Sequence, residues 1–288
     1  MVNSTVANPV TPVRRRGFFG RLRRNPAGII GLILIILLAF ASIAGPYFYT
    51  QSPQRNNALA IMQEPSAEHW LGTDELGRDV LARILAGGRI SLSVGVLSML
   101  IGLFVGTAAG ALAGYFGGFI ETIVMRLVDV FMAIPNFFLI LAIVTAFGSS
   151  PTVVVLTVAL GFWSQMARVV HAEFNKYRHR EFVEASQALG ARDPRVIIRH
   201  ILPQVLPQMI VLGTLGIGWA ILTEASLSYL GLGIQPPLAS WGNMLQNAQA
   251  YLWSKPILAI WPGLFIALTV LAFNMFGNAL RDLLDPRN

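Results

Sequence analysis

The sequence predicts an all-α membrane protein with six transmembrane helices, and three observations carry that expectation. The chain of 288 residues is 55% hydrophobic and only 12% charged, whereas a soluble domain of this size is about a quarter charged. Six apolar stretches are each long enough, at about 20 residues, to cross a hydrocarbon core about 30 Å thick. The net charge of +7 is spread unevenly, in the pattern of a membrane topology signal rather than of a nucleic-acid surface.

The elements follow in order. Residues 1–26, with Arg14, Arg15, Arg16, Arg21, Arg23 and Arg24, form a basic tail suited to an anionic membrane surface. The first span is Ala27–Phe48. At about 22 residues it exceeds the 7–15 residues of a secretory leader's apolar region, so it reads as a retained anchor. Residues 49–90 are a polar extracytoplasmic segment in which Arg55, Arg78, Arg83 and Arg89 are outnumbered by acids, with Thr73-Asp74 as a cap for a helix from Glu75.

A core follows over 91–280, with spans at Leu92–Phe116, Ile123–Phe147, Val153–Val170, Gln208–Thr223 and Ile257–Asn278, and a short tail at 281–288. Gly102, Gly106, Gly110 and Gly114 recur every fourth residue of the second span. This is the small-x-x-x-small ridge on which another helix packs closely, and the same ridge is open to a second reading as a pore-lining surface. Pro135 and Pro262 interrupt the third and sixth spans and free backbone groups that the interior must satisfy. Asp129 is an acid inside an apolar run, with Arg126 one turn earlier as the expected partner in a local ion pair; a proton relay is the sharper alternative. Glu224 closes the fifth span and is a candidate for the mouth of a translocation path. Trp241, Trp253 and Trp261 suit headgroup anchors, and Tyr229–Trp253 reads as a re-entrant or interfacial segment.

Arg168, Lys176, Arg178, Arg180, Arg192, Arg195 and Arg199 lie between the fourth and fifth spans, while Lys255 alone lies between the fifth and sixth. The positive-inside rule then places both termini and the Glu181 region in the cytoplasm. The stretch Lys176–Arg199 holds six cations, whose insertion would cost on the order of 15–20 kcal/mol, so it stays out of the bilayer. Its pattern is helix, break, helix. Phe182, Val183, Ser186 and Leu189 make one stripe, Gly190 is a stop, Asp193-Pro194 is a cap and first turn, and Pro203 ends or kinks the second piece. Such a knob either lies on the headgroups or docks a soluble partner.

Enzyme chemistry finds no foothold in the sequence. Cysteine is absent, which removes disulfides and thiolate sites. His69, His171, His179 and His200 have no metal-ligand spacing, and no G-x-S-x-G elbow occurs. There is no G-x-x-x-x-G-K-[ST] loop, since neither Lys176 nor Lys255 follows a glycine.

Glu184-Ala185-Ser186, Gly190 and Ile201-Leu202-Pro203 resemble the EAA motif, E-A-A-x3-G-x9-I-x-L-P, of the permease subunits of bacterial ABC importers. Ser186 stands for the second alanine and His200 for the first isoleucine. His69–Leu92, Glu224–Leu245 and Asn274–Arg287 are similar to the C-type permease of the dipeptide, oligopeptide and nickel group, with Gly277-Asn278 where Gly-Asp is usual.

The resemblance implies a type I, MetI-like transmembrane domain in the cytoplasmic membrane of a bacterium or archaeon. It implies a second homologous permease, two ABC ATPase subunits that hold the ATP and magnesium, an extracytoplasmic binding protein, and membrane lipid, with no cofactor in this chain and no nucleic acid. Glu184, Ala185, Ser186, Gly190, Ile201, Leu202 and Pro203 become the ATPase-coupling residues, and Glu224 and Asp129 the candidates for the path. The implied cargo is a di- or oligopeptide, with nickel, other metal chelates or oligosaccharides as alternatives. An ion-coupled secondary transporter is the remaining class, and it would need paired intramembrane acids or inverted repeats.

Overall fold

The computed structural model describes residues 25–284. The basic tail up to residue 24 and residues 285–288 lie outside them, and with them the arginine cluster of the N-terminus. Five helices are long and apolar enough to span a membrane, and a bent pair supplies the sixth span. The described chain has no strand, and its single β-bridge joins Thr73 to Asp79.

Helix α1, Pro26–Phe48, starts where Asn25 accepts from the amide of Gly28 and a proline occupies the first turn. It packs on the helices Val80–Phe116 and Ile257–Leu284, and Gly31 lets its backbone meet the second of them: a Cβ there would sit 2.8 Å from the carbonyl of Ala272. Helix α2, Val80–Phe116, is much longer than the second span expected from hydropathy. Its cap is Asp79, which accepts from the amide of Ala82, not Thr73-Asp74. Asp74 is occupied instead by Arg78 and Arg83, and Thr73 donates to the carbonyl of Ala60, so the segment from Glu75 to Arg78 is a loop.

The third span is broken. Helices α3, Gly118–Ala133, and α4, Asn136–Phe147, meet at 87° across Ile134-Pro135. Proline has no N–H, and it forces the preceding residue to extended backbone, which Ile134 adopts at ψ 125. A continuous span over Ile123–Phe147 is therefore corrected to an elbow.

Helix α5, Pro151–Arg178, begins at a Ser150 cap and runs well past the expected Val170. The glycine ridge of α2 nests against it. A Cβ on Gly102, Gly106, Gly110 or Gly114 would lie 2.4–3.0 Å from the carbonyls of Ala159, Trp163, Ala167 and His171 respectively. Each glycine faces one backbone carbonyl, and both rows advance by four residues. The ridge is a packing surface. Around it Val94, Met99, Val158, Phe162, Met166, Val170 and Phe174 form the main buried cluster.

A short helix, α6, Glu181–Ala188, precedes α7, which runs unbroken over Asp193–Tyr229. The fifth span was expected only at Gln208–Thr223, and Pro203 was expected to end or kink the knob's second piece. The wide π turn at Val196–Ile201 explains the difference: the amide of Leu202 reaches back to Ile197, five residues away. That widening makes room for the Pro203 ring against the preceding turn, so the helix passes through. Helix α8, Trp241–Ala248, begins with a reciprocal Ser240/Asn243 capping box. Helix α9, Ile257–Leu284, carries Pro262 without interruption and takes up the first residues of the expected C-terminal tail.

Candidate functional site

The knob at 181–203 is built on an inward side and an outward side. On α6 only Val183 is fully buried, in the cluster that holds Phe174, Val196 and Ile201. Ser186 is half-buried, while Phe182 is 42% and Leu189 89% exposed. The expected stripe therefore divides: Val183 and Ser186 face the bundle, and Phe182 and Leu189 face away. Glu184 and Ala185 are exposed beside them, and so is Ile198 on the next helix. Glu181 and Glu184 lie in the first turn of α6, where the helix dipole favours negative charge. The outer side thus presents Phe182, Leu189 and Ile198 as exposed apolar side chains, with the acids Glu181 and Glu184 on the same short helix as the first two.

The break after α6 is a Schellman turn. The amide of Ala191 donates to the carbonyl of Ser186 at 3.1 Å and that of Gly190 to Gln187 at 2.9 Å. Gly190 has φ +83 and open space around its Cα. Its constraint is conformational, not steric. The restart is shifted by one residue from the expected cap: Arg192 is the N-cap and Asp193 the first helical residue. Asp193 instead accepts from the hydroxyl of Tyr115 at 2.7 Å. The same hydroxyl accepts from Gln187 at 3.2 Å, and the carbonyl of Tyr115 accepts from Arg178 at 3.3 Å. Ile201 is buried beneath the knob, Leu202 half-buried, and Pro203 exposed. A cleft of about 300 Å³ behind the knob is lined by Tyr115, Arg178, Glu184, Gln187 and Asp193. Sequence reasoning missed Tyr115 and its partners, because periodicity within a segment carries no signal for a contact 78 residues apart.

At the opposite end of α7, Glu224 is wholly buried rather than at an opening. Its carboxylate accepts from Ser91 of α2 at 2.9 Å and from Ser228 at 2.7 Å. Each serine in turn accepts a backbone amide, Ser91 from Trp241 at 3.2 Å and Ser228 from Ile234 at 2.9 Å. Two parallel relays thus hold the 230–248 hairpin on α2 and α7. Trp241 is fully buried and donates its ring N–H to the carbonyl of Ile84, so it is a core residue and not a headgroup anchor; Trp253 is wholly exposed. Near the same end Asp79 takes the hydroxyl of Tyr49 at 2.7 Å and the ring of His69 at 2.8 Å. Burial, followed by the bond to Asp79, pushes the Tyr49 hydroxyl up to about 12.

Asp129 pairs at 2.6 Å with Arg168 of α5, not with Arg126, and both side chains are about half exposed. Glu121 of α3 similarly meets His171 of α5 at 2.8 Å. The path candidates are thus not brought together: Glu224 sits in the hairpin knot, and Asp129 ties α3 to α5.

The described helices form a polytopic bundle that bears one exposed, Schellman-closed knob. The chain belongs to the family of binding-protein-dependent transport system inner membrane components, whose model matches residues 106–288; the N-terminal transmembrane domain of oligopeptide transport permease C matches residues 14–65. It is 40% identical over 272 residues to a dipeptide transport system permease protein of Alkalihalophilus pseudofirmus, covering 94% of this chain and 90% of that one. It is also 40% identical over 257 residues to a nickel transport system permease protein of Escherichia coli, covering 89% and 93%. Among solved structures, the MetNI methionine ABC transporter in an inward-facing conformation is similar in fold, with a TM-score of 0.57 at 16% identity, covering 70% of this chain and 96% of that one. The chain is an all-α, MetI-type ABC importer permease of the dipeptide, oligopeptide and nickel group, a multi-pass protein of the cytoplasmic membrane.

Proposed function

We propose that this chain translocates short peptides in an ATP-driven importer and takes its mechanical input through the knob. The observation that carries the reading is the knob's surface: Phe182, Glu184, Ala185 and Leu189 are exposed together on a helix closed rigidly by Gly190. Phe182 and Leu189 supply apolar anchors, Glu184 a charge, and Ala185 and Ser186 room for close approach. Two separate ATPase subunits dock there, one on this chain and one on a homologous permease. Closure of the ATPase pair moves the knobs and tilts the attached spans between two states. ATP and magnesium stay with the ATPases, and this chain carries no cofactor. The arginine distribution supports a cytoplasmic knob and cytoplasmic termini, and in that orientation the loop at 49–79 and the 230–248 hairpin receive the extracytoplasmic binding protein.

Equal identity to dipeptide and nickel permeases favours a second reading in which the same machinery carries a nickel chelate. The complete complex in proteoliposomes separates the two by uptake of labelled dipeptide against labelled nickel. Cargo-loaded binding protein should stimulate ATP hydrolysis several-fold in the wild type, and Glu184→Arg should remove that stimulation with insertion unchanged. ATP-driven uptake at the wild-type rate in Glu184→Arg would overturn the docking role.

A further inference from the structure

We propose that Tyr115 is a positioning residue for coupling: its phenol pins the knob to the end of α2, so that motion of the knob becomes motion of the α2–α5 pair. The inference rests on the docking role given to the knob above. Tyr115 occupies the last turn of α2 and is 9% exposed. Its hydroxyl donates to Asp193, at the start of α7, and accepts from Gln187, on α6. A phenol has one proton and acceptor lone pairs, and this one uses both kinds of site to hold the two sides of the Gly190 break. Among the described residues these are the only side-chain hydrogen bonds that tie residues 181–201 to the rest of the chain. The other side-chain attachments, through Val183, Val196 and Ile201, are apolar and non-directional, and the backbone ties are local to the chain path, from the amides of Val183 and Glu184 to the carbonyl of Arg180 and along α7.

The anchorage of Tyr115 is stiff on its own side. Its carbonyl accepts from Arg178, the last residue of α5. Gly117 follows at φ +68 with the Arg178 guanidinium so close that a Cβ would lie 2.6 Å from it. Above, the four glycines seat α2 on the carbonyls of α5. The phenol therefore joins a pre-assembled helix pair to a knob whose exposed face points away from it. Packing through Val183 sets no direction across the bundle; the bonds from Gln187 and to Asp193 supply one on each side of the Gly190 break.

The test uses the full complex with its ATPases and loaded binding protein. Tyr115→Phe keeps the ring and removes the hydroxyl, and Asp193→Ala removes the acceptor. Each should lower cargo taken up per ATP hydrolysed about tenfold, the scale of a lost hydrogen bond to a charged group, while the KM for ATP stays put. Asp193→Asn retains an acceptor oxygen and should stay within about twofold of wild type. The Tyr115→Phe/Asp193→Ala double variant should lose no more than the worse single one.

The chain has no cysteine, so spin labels at Ala188→Cys and Asn175→Cys report the knob's orientation directly; their distance distribution should widen in Tyr115→Phe and not in Asp193→Asn. Wild-type coupling in Tyr115→Phe, or multiplicative losses in the double variant, would overturn the proposal. So would an Asp193→Asn variant as impaired as Asp193→Ala. An unaltered Glu184→Arg variant in the same assay would instead remove the docking role beneath it.

Discussion

The two ends of α7 are held in opposite ways. At the hairpin end a buried carboxylate, Glu224, accepts two hydroxyls, and each hydroxyl accepts an amide of the 230–248 segment. At the knob end the acids Glu181, Glu184 and Asp193 are exposed, and one phenol supplies the directional contacts. A buried polar knot is costly to break, because each lost partner leaves a desolvated group behind. At the knob the exposed acids Glu181 and Glu184 keep their hydration on the outer face, while the buried Tyr115 holds the inner one. The hairpin end is thus built to stay assembled, and the knob end to be engaged and released.

Three experiments break or sharpen this contrast. The largest effect belongs to Glu224→Ala, which leaves the hydroxyls of Ser91 and Ser228 without their acceptor and opens a cavity. It should cost about 3 kcal/mol, read as a lower unfolding midpoint in detergent and faster proteolysis around Trp241; an unchanged midpoint would mean that the knot does not hold the hairpin. Next comes Gly190→Val, which forces a β-branched residue to φ +83 in open space. The strain should be about 1–2 kcal/mol, confined to the knob, so substrate-stimulated hydrolysis falls while the unfolding midpoint barely moves. Gly190→Asn should recover most of the loss, and equal damage from both would point to a contact at Gly190 in place of backbone strain.

The smallest effect concerns Tyr49. Its hydroxyl holds its proton to about pH 12 in the folded protein, against about 10 for a free tyrosine. Because the folded value is raised, the stability it contributes is fully present below pH 10 and is lost as pH rises through 12. Ultraviolet titration should show a tyrosine that ionises near 12 and moves only part of the way back toward the ordinary range in Asp79→Asn, because burial is retained. Ionisation near pH 10 in the native chain would show that the Asp79 contact is not kept in solution.

What the sequence made legible follows from the range over which each signal acts. Apolar length placed the six spans, and the four-residue repeat of Gly102 to Gly114 announced the tight α2–α5 interface, because both depend on local periodicity alone. The Gly190 break was equally local. Pro135 marked an interruption, but a proline does not encode the size of a bend, and the 87° elbow depends on what α3 and α4 pack against. Helix ends ran past the apolar stretches because hydropathy sees the bilayer and not the helix: α2, α5 and α7 all continue into polar sequence. Asp129 drew a partner from α5 in place of its neighbour Arg126, and Glu224 turned inward to Ser91, 133 residues away. The outward turn of Phe182 and Leu189 was hidden because a helix with apolar residues on two sides does not say which side is inside.

One consequence concerns α2 as a ruler. Ser91, in the hairpin knot, and Tyr115, at the knob, are stations on the same helix, about 36 Å apart at 1.5 Å per residue. Between them the four glycines engage four carbonyls at a common interval. A single inserted residue between Gly106 and Gly110 would rotate the stations by about 100° relative to each other and unseat one half of the row. The span between the two fastenings is therefore fixed to the residue, and drift in loop length elsewhere leaves it untouched. Insertions in α2 should be far rarer among functional variants than insertions in the loop at 49–79.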